Sequence, residues 1–507
     1  MATTGRPLSW AAARGRRHTT LTEIAEPHAA VPAATERRNR AVPTLPLLVL
    51  GCFALATLSL AGPSVPTQDS WSWIVWGREV VHLSLDTTSG ASWKPLPVLF
   101  TTPFSLFGDI APELWLVVAR AGGLLAILFA YRIAARLAGP ALGVFAGVVA
   151  AVSMASADWV RYLAHGNVEP LSAGLVLAAI DRHMDGHRHQ AAVLGLLAAL
   201  GRPELFPFLL VYAIWVLRRR EANLAVMVAL LLVVPVLWLG GDWWGAGDPF
   251  YGSSKAAGFS ERQTHRTEAV KRKHAAEKGL TASAQPSFGN TLKGGSNILM
   301  IPVELLAVAG IVLAYRRRRR DVLVLAAGAA VLILIVALMV PLGYGGSPRF
   351  MFPAAAAVCV LAGLGVAWLL EIARTRARMA AVGAALIAVT VPFAVIRAGT
   401  DRDRIHDVRL RTQLQDNLDR AVSQAGGGAR VRALGHPRIN PSFAHQLAWD
   451  LDVHQDEVGP LRYPAVIFQG PQTRVSPGAK PRVPRFGVMS KRIAAVGGWK
   501  AFSVTKP

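Results

Sequence analysis

Residues Asp69 to Pro97 read DSWSWIVWGREVVHLSLDTTSGASWKPLP. The stretch follows the first long apolar run and is too polar to cross a bilayer. Tryptophan rings settle at membrane interfaces, with their N–H groups among the headgroups. Four of them occur here: Trp71, Trp73, Trp76 and Trp93. We therefore expect a loop on the membrane surface, with the rest of the chain as a membrane scaffold around it.

The composition indicates a polytopic membrane protein, because 52% of the 507 residues are hydrophobic and only 17% are charged. A net charge of +23 would suggest nucleic acid in a soluble domain. Here the arginines form short clusters between apolar runs, so they indicate orientation, and no nucleic-acid partner is expected. Cys52 and Cys359 both lie in apolar runs, which predicts neither a disulfide framework nor a cysteine metal site.

Apolar segments predict an all-α bundle of about eleven transmembrane helices in the plasma membrane. They cover residues 44–62, 113–137, 140–157, 170–180, 190–200, 204–217, 221–240, 298–315, 321–342, 351–370 and 379–397. With the N-terminus in the cytoplasm, five basic clusters fall on the cytoplasmic side, as lysine and arginine prefer. These are Arg132/Arg136, Arg182 to His189, Arg218 to Arg220, Arg316 to Arg320 and Arg374 to Arg378.

Three regions follow from this pattern. Residues 1–43 form a basic tail that we expect to be disordered, and residues 44–397 form the membrane region, with outer loops at 63–112 and 241–297. Residues 398–507 are expected to form a small extracytoplasmic α/β domain. Its predicted elements are a helix from Arg404 to Ala425, a strand from Val431 to Leu434, a helix near His445 and a strand from Ala465 to Phe468. The basic run from Arg262 to Lys278 is interpreted as a solvated loop.

Two segments are too short to span a bilayer. Pro95 to Phe107 is about half the required length and is better placed as an interfacial or re-entrant helix. Residues 190–217 form two short arms that meet at Gly201-Arg202-Pro203-Glu204. Charged, irregular backbone at membrane depth needs protein or water around it. Arg202 and Glu204 are therefore either a mutually neutralising pair or part of a functional cavity.

Asp69 and Lys94 each have two interpretations. Asp69 follows the first span and is a candidate general base for a hydroxyl group, or the N-cap of a helix. Lys94, in Trp93-Lys94-Pro95, is a candidate contact to a lipid phosphate, or a lysine that extends from an interfacial helix to the headgroups.

Other ionisable residues lie on the outer side. Arg349 begins an apolar run there, and a guanidinium group can hold phosphate through two hydrogen bonds. Asp158, His165 and Glu169 share one outer loop and are candidate cavity residues. A single histidine is more often structural, and the spacing matches no metal-ligand motif, so no metal site is predicted.

These motifs together resemble the GT-C class of membrane glycosyltransferases. An aspartate opens the loop after the first helix, followed by Lys94-Pro95-Leu96-Pro97, Arg202-Pro203-Glu204 at a short hairpin, and Pro348-Arg349-Phe350 with Pro353. The nearest likeness is to the branch with the protein O-mannosyltransferases and the lipid A aminoarabinose transferase, and it covers roughly residues 44–397. Two features depart from the pattern: Ser70 stands where a second acidic residue is common, and Lys-Pro-Leu-Pro replaces Lys-Pro-Pro-Leu.

The resemblance implies a polyprenyl-phosphate-linked sugar donor and an active site at the outer membrane face. It also implies inversion at the anomeric carbon and a glycan, lipid or protein acceptor. Carried over to this chain, Asp69 would deprotonate the acceptor hydroxyl, while Arg349 and Lys94 would hold the leaving phosphate. No cofactor follows from the sequence, and the departures leave the role of a divalent metal open.

Two other functions stay open at this point. A transporter or flippase of a lipid-linked or anionic substrate would also place arginines in a cavity, but it predicts polar residues through the membrane midplane. A noncatalytic assembly protein would use the outer loop and the tail to bind partners. Loss of activity without loss of assembly on changing Asp69 would separate the enzyme from both.

The predicted topology can be tested by labelling. With Ser287 and Ser442 each replaced by cysteine, a membrane-impermeant maleimide should label both in intact cells, because both lie outside. Labelling of both only after permeabilisation would show that the orientation is wrong.

Overall fold

A computed structural model of the chain describes residues 44–255, 258, 297–340, 344, 347–476, 480–484 and 486–506. The contacts divide the chain into two units, residues 1–47 and 48–507, and the account below concerns the second unit and the first helix. Ser287 and the basic run from Arg262 to Lys278 lie outside the described residues.

Every predicted apolar segment falls on a helix. The helices are α1 (Thr44–Leu58), α2 (Gln68–Val81), α3 (Pro95–Phe104), α4 (Ala111–Ala138), α5 (Gly143–Ala155), α6 (Val160–Ala164), α7 (Val168–Met184), α8 (Arg188–Gly201), α9 (Phe206–Arg218), α10 (Leu224–Ala246), α11 (Ile301–Arg316), α12 (Arg320–Met339), α13 (Phe352–Ala373), α14 (Arg376–Gln424), α15 (Gly427–Leu434) and α16 (Ala444–Asp450).

Six helical stretches of the described chain are long and apolar enough to cross a membrane, which is the pattern of a multi-pass membrane protein. They are Thr44–Ala61, Pro95–Ala138, Leu224–Ala246, Arg320–Met339, Pro348–Ala373 and Arg376–Gln424. The other predicted spans lie on shorter helices, such as α5 with 13 residues and α8 with 14. The count of eleven spans therefore stays a prediction.

The breaks before α9 and α13 have the same local cause. A residue that precedes proline is sterically disfavoured in the helical region. Arg202 precedes Pro203 and is extended, with φ −145° and ψ 109°, and Ser347 precedes Pro348 with φ −69° and ψ 131°. A short 3-10 turn follows each of them before the next helix starts. Both turns thus place charged side chains, Arg202 with Glu204 and Arg349, at helix ends.

The crossing of α4 and α7 is unusually close because glycine faces glycine. A Cβ atom on Gly174 would lie 2.3 Å from the carbonyl oxygen of Gly122, and one on Gly122 would lie 2.4 Å from the Cα of Leu171. Only residues without a side chain let the two backbones approach this far. The contact fixes the first turn of α7, which begins at Val168.

Several basic clusters meet at the opposite end of these helices. Asp181 is fully buried and lies 3.2 Å from Arg132 Nε and 3.3 Å from Arg136 Nη1. Arg319 donates to the carbonyl oxygen of Leu137 over 3.1 Å. Arginines from α4 and from the start of α12 therefore share one end of the bundle. This agrees with the prediction that these basic clusters lie on the same side of the membrane. That this end faces the cytoplasm stays a prediction.

The prediction of a loop at residues 69–97 is wrong for residues 69–81, which are helical, whereas residues 82–94 connect α2 to α3 without regular structure. A position on the membrane surface stays a prediction. Residues 68–81 form α2, and the tryptophans are buried in protein, with exposed fractions of 0% for Trp73 and Trp76. Trp73 packs edge-on against Trp115 at 5.8 Å between ring centroids, and Trp76 packs against Trp93 at 5.7 Å. The rings hold α2 against α4 and against the segment before α3, where packing replaces the lipid contact expected from composition.

The C-terminal region begins within α14 and contains a small four-stranded sheet. The 49-residue α14 runs through the predicted boundary at residue 398 without a break. Strands β1 (His436–Arg438), β2 (Ala465–Gln469), β3 (Met489–Val496) and β4 (Trp499–Thr505) form the order β1-β2-β4-β3. β1 is parallel to β2, and the other two pairs are antiparallel.

The two strands predicted in the C-terminal region differ in outcome. The strand predicted at Val431 to Leu434 is wrong: these residues end α15, and the strand begins after Gly435, whose φ of 135° suits glycine. The strand at Ala465 to Phe468 and the helix near His445 are found where predicted. The hairpin β3–β4, which turns at Gly497 and Gly498, was not predicted.

The close α4–α7 crossing can be tested with one methyl group. Gly174→Ala should lower the free energy of unfolding by about 1–3 kcal/mol, because the added Cβ has no room. The control is Gly328→Ala in α12, where a Cβ meets nothing within 4 Å and alanine favours the helix. Thermal unfolding of the purified protein in detergent measures both. Equal melting temperatures for the two variants would contradict the proposed packing.

Candidate active site

Six ionisable side chains from distant parts of the chain meet near the N-terminal end of α7. They come from α2, from the residue before α3, from α7 and from the turns before α9 and α13: Asp69, Lys94, Glu169, Arg202, Glu204 and Arg349. Their formal charges sum to zero. We call this set the charged cluster.

Glu169 lies at the centre of the charged cluster. Its Oε1 atom is 3.2 Å from Nη1 of Arg202, 3.4 Å from Nε of Arg349 and 3.9 Å from Nζ of Lys94. The side chain is 1% exposed and stands in the first turn of α7, where the helix dipole favours a negative charge. One buried carboxylate thus balances cations from three segments, while its second oxygen, Oε2, has no hydrogen-bond partner among the described residues.

Arg202 and Glu204 form the closed end of the charged cluster. Nη2 of Arg202 is 2.5 Å from Oε1 of Glu204, so the predicted pair is present, and both side chains are at most 2% exposed. Tyr344 donates its hydroxyl to the same Glu204 oxygen over 2.8 Å. The guanidinium of Arg202 also lies over the ring of Phe350 at 3.7 Å. A buried ion pair needs such additional partners to offset its desolvation.

Asp69 and Arg349 form the open end. Nη2 of Arg349 donates to Oδ2 of Asp69 over 2.9 Å, and the two side chains are 25% and 29% exposed. The N-cap interpretation of Asp69 is wrong, because Thr67 occupies the N-cap position of α2 and the Asp69 carboxylate contacts Arg349 instead. Solvent therefore reaches the cluster at its carboxylate–guanidinium end.

Lys94 points into the cluster. Its Nζ lies 5.0 Å from the ring centroid of Trp73, and the residue is 9% exposed, so the interpretation as a lysine reaching for headgroups is wrong. Burial lowers the pKa of Lys94 to about 8, although Glu169 acts in the opposite direction. A cation held in this way, with its charge only partly balanced, is suited to an anionic ligand.

The carboxyl group of Asp69 is ionised at neutral pH. Burial alone raises the pKa of Asp69, but the charges of Arg349 and Lys94 outweigh this and hold the pKa below its ordinary value. A carboxylate paired with a guanidinium is a weak base because its pKa is low. Its pKa rises, and it becomes a stronger base, when the guanidinium binds another anion instead.

Two sequence candidates lie apart from the charged cluster. Asp158 pairs with Arg404 and, at 3.7 Å, with Arg397, so it ties its loop to α14. The His165 ring lies 3.0 Å from the carbonyl oxygen of Val65, and burial lowers the pKa of His165 to about 4. A neutral histidine bound to backbone fits the structural interpretation, as expected for a single histidine.

Sequence reasoning missed Tyr344 and the central place of Glu169. Tyr344 stands in an outer segment that was noticed, GYGGSPRF, but nothing in a lone tyrosine marks a partner 140 residues away. Among the described residues, no group of three or more His, Cys, Asp and Glu side chains is placed to hold a metal ion.

A fold of this kind, a helical membrane region with a small mixed sheet at its C-terminal end, occurs in solved structures of GT-C glycosyltransferases, which confirms the predicted resemblance at the level of the fold. Two of these structures are of ArnT from Cupriavidus metallidurans. The apo form has a TM-score of 0.51 and 15% identity, and the alignment covers 91% of this chain and 97% of that one.

The second ArnT structure was solved bound to undecaprenyl phosphate, with a TM-score of 0.51, 16% identity and coverage of 91% and 98%. The Archaeoglobus fulgidus oligosaccharyltransferase in complex with Zn and sulfate has a TM-score of 0.45 and 16% identity, with coverage of 80% and 61%. No family model matches the chain, and no curated protein matches it.

The role of Glu169 in holding the cluster can be tested by Glu169→Gln. Loss of this charge leaves buried cations uncompensated and should cost about 3–5 kcal/mol in stability. The control is Glu371→Gln, which removes a half-exposed carboxylate 2.5 Å from Arg317 and should cost at most about 1 kcal/mol. Melting temperatures in detergent compare the two, and an unchanged value for Glu169→Gln would show that the carboxylate is dispensable.

Proposed function

We propose that the protein is a membrane glycosyltransferase that moves a sugar from a polyprenyl-phosphate-linked donor to an acceptor hydroxyl, with inversion. The observation that carries this is the open end of the charged cluster. There an ionised, accessible carboxylate, Asp69, lies 2.9 Å from Arg349 and near Lys94. A base beside two cations matches the needs of a sugar transfer in which phosphate leaves.

Asp69 is the general base in this mechanism. It takes the proton of the acceptor hydroxyl while the acceptor oxygen forms a bond to the anomeric carbon. The bond from that carbon to the donor phosphate oxygen breaks, and its electron pair stays on the phosphate. Because the oxygen enters on the face opposite the leaving phosphate, a single displacement inverts the anomeric configuration.

Arg349 and Lys94 bind the phosphate and stabilise the charge that develops on it. Before the donor arrives, Arg349 holds the carboxylates of Asp69 and Glu169. When a phosphate takes over part of this guanidinium, the Asp69 carboxylate loses its partner and its basicity rises. Donor binding would thus raise the basicity of Asp69 for the removal of the acceptor proton.

The lipid nature of the donor rests on the membrane setting and on the fold. Lys94 directly precedes the candidate span Pro95–Ala138, and Arg349 lies at the start of the candidate span Pro348–Ala373. Both cations therefore stand at the ends of apolar helices, next to the region where a polyprenyl chain is soluble. The likeness to ArnT, which was solved with undecaprenyl phosphate, supports the same lipid class here. We place the site on the extracytoplasmic face, with a glycan, lipid or protein as acceptor.

The test separates binding from chemistry in the purified, reconstituted protein. Undecaprenyl-phosphate mannose, glucose and arabinose serve in turn as donors, and membranes from cells lacking the protein supply the acceptor. Asp69→Asn keeps the size of the side chain but not its basicity, so transfer should slow by about 100-fold or more while undecaprenyl phosphate still binds. Arg349→Ala should instead weaken that binding, because the fork that holds phosphate is lost.

The control is Asp158→Asn, which removes a carboxylate of the neighbouring loop that pairs with Arg404 and should keep transfer within a few-fold. Transfer by Asp69→Asn at the wild-type rate would overturn the assignment of the base. Lipid phosphate that crosses the bilayer in proteoliposomes, without sugar transfer from any donor, would show a transporter or flippase instead.

A further inference from the structure

The C-terminal region packs along one face of α2, the helix that carries Asp69. The α2 residues in contact recur at helical spacing, so they share a face. Each has a partner beyond residue 398: Gln68 with His445 at 2.8 Å, Trp71 with Gln415 at 3.2 Å, the Ser72 carbonyl oxygen with Gln455 at 3.1 Å, Arg78 with the Trp449 carbonyl oxygen at 3.1 Å, and Glu79 with His454 at 3.0 Å.

The other face of α2 carries Asp69, Trp73 and Trp76, which also follow helical spacing. Asp69 contacts Arg349, and Trp73 lies under Lys94 and against Trp115. One helix thus has its catalytic face on the charged cluster and an adjacent face on the C-terminal region. A rotation of α2 that changed one set of contacts would move the other.

Close to Asp69, the contact is the hydrogen bond between Gln68 and His445. As the side chains are placed, Nε2 of Gln68 donates and the imidazole Nε2 of His445 accepts. The ring proton then lies on Nδ1, which has no hydrogen-bond partner among the described residues. His445 is 6% exposed, and burial lowers the pKa of His445 to about 4, although the charge of Asp69 opposes this. The ring is therefore a neutral acceptor at physiological pH.

The start of α2 depends on such outside contacts. Thr67, its N-cap residue, makes no side-chain capping bond to the helix. The first turn is held on one side by Ser70, whose hydroxyl lies 2.9 Å from the carbonyl oxygens of His165 and Gly166. On the other side it is held by His445 through Gln68. Trp71 and Asp69 hold the same turn through Gln415 and Arg349. The contact between Gln68 and His445 is the one that fixes the residue directly before Asp69.

We propose that His445 is a positioning residue for Asp69 and that the C-terminal region is in this way part of the catalytic unit. The inference rests on the proposed function, since it assigns His445 to the same reaction. The base must stand within about 2.6–3.2 Å of the acceptor hydroxyl, and a shift of about 1 Å can cost about 100-fold in rate. The hydrogen bond between Gln68 and His445 sets this distance by fixing the residue next to Asp69.

The experiment uses four single variants of the full chain, and the double variant of Gln68→Leu with His445→Leu, in the transfer assay with undecaprenyl-phosphate-linked sugars. His445→Leu keeps the approximate size of the side chain but cannot accept a hydrogen bond, and His445→Gln supplies an amide oxygen as acceptor. Gln68→Leu removes the donor. His454→Leu is the control, because it breaks a contact to Glu79 in the same helix, about 16 Å from Gln68 at 1.5 Å of rise per residue.

We expect His445→Leu to lower the maximal transfer rate about 10-fold or more, with the donor KM and the affinity for undecaprenyl phosphate within about twofold of wild type. His445→Gln should recover most of the rate. Gln68→Leu should match His445→Leu, and the double variant should be no slower than either single variant, because both break one hydrogen bond. His454→Leu should lower the melting temperature and leave the rate within about twofold.

Three outcomes would overturn the proposal: a wild-type rate in His445→Leu, a loss that His445→Gln does not restore, or additive losses in the double variant. Asp69→Asn is measured in the same assay, so that failure of the positioning role can be distinguished from failure of the proposed function. If Asp69→Asn is inactive and His445→Leu is not, the positioning role alone is overturned. If Asp69→Asn transfers sugar like wild type, both the base and its positioning residue are overturned.

Discussion

The charged cluster depends on one buried carboxylate. Glu169 stands in the first turn of α7 and lies within 4 Å of Lys94, Arg202 and Arg349, which belong to three separate segments. Without that negative charge, the three cations would share only the carboxylates of Glu204 and Asp69. One positive charge would stay unbalanced, which the low dielectric of a protein interior penalises. Glycine contacts between α4 and α7 fix the start of α7. Helix packing therefore decides where the charge lies, and the charge decides where the cations gather.

The second constraint is the position of α2 between two partners. Its tryptophans pack against membrane helices, while the adjacent face bonds to the C-terminal region. A short helix is marginal by itself, so its place is set by what packs on it. This arrangement explains how a segment too polar to span a membrane is nonetheless rigid. It also explains why the exposed pair of Asp69 and Arg349 has a defined geometry although both side chains reach solvent.

Much of the helix layout could be predicted because it depends on local properties. Segment length and hydropathy decide which residues form apolar helices, and proline decides where α9 and α13 begin. Asp69, Lys94 and Arg349 could be singled out for a similar reason, since each charge stands out at the edge of an apolar run. Asp158 and His165 looked equivalent to Glu169 in sequence. They share the predicted outer loop with it, but helix packing directs only Glu169 toward the cations. Residue spacing along the chain does not show which of the three side chains faces the cations.

By itself, the sequence determined that the protein is helical and multi-pass, and it determined the short list of charged residues that includes the cluster. Both follow from hydropathy and charge, which are properties of individual residues. The tertiary structure decided three things that depend on distant partners. It buried the tryptophans of α2, which composition had placed in lipid, because neighbouring helices supply the apolar surface. It joined Glu204 to Tyr344 across 140 residues. And it set His445 beside Gln68, a contact between residues 377 positions apart that only the folded chain brings within hydrogen-bond distance.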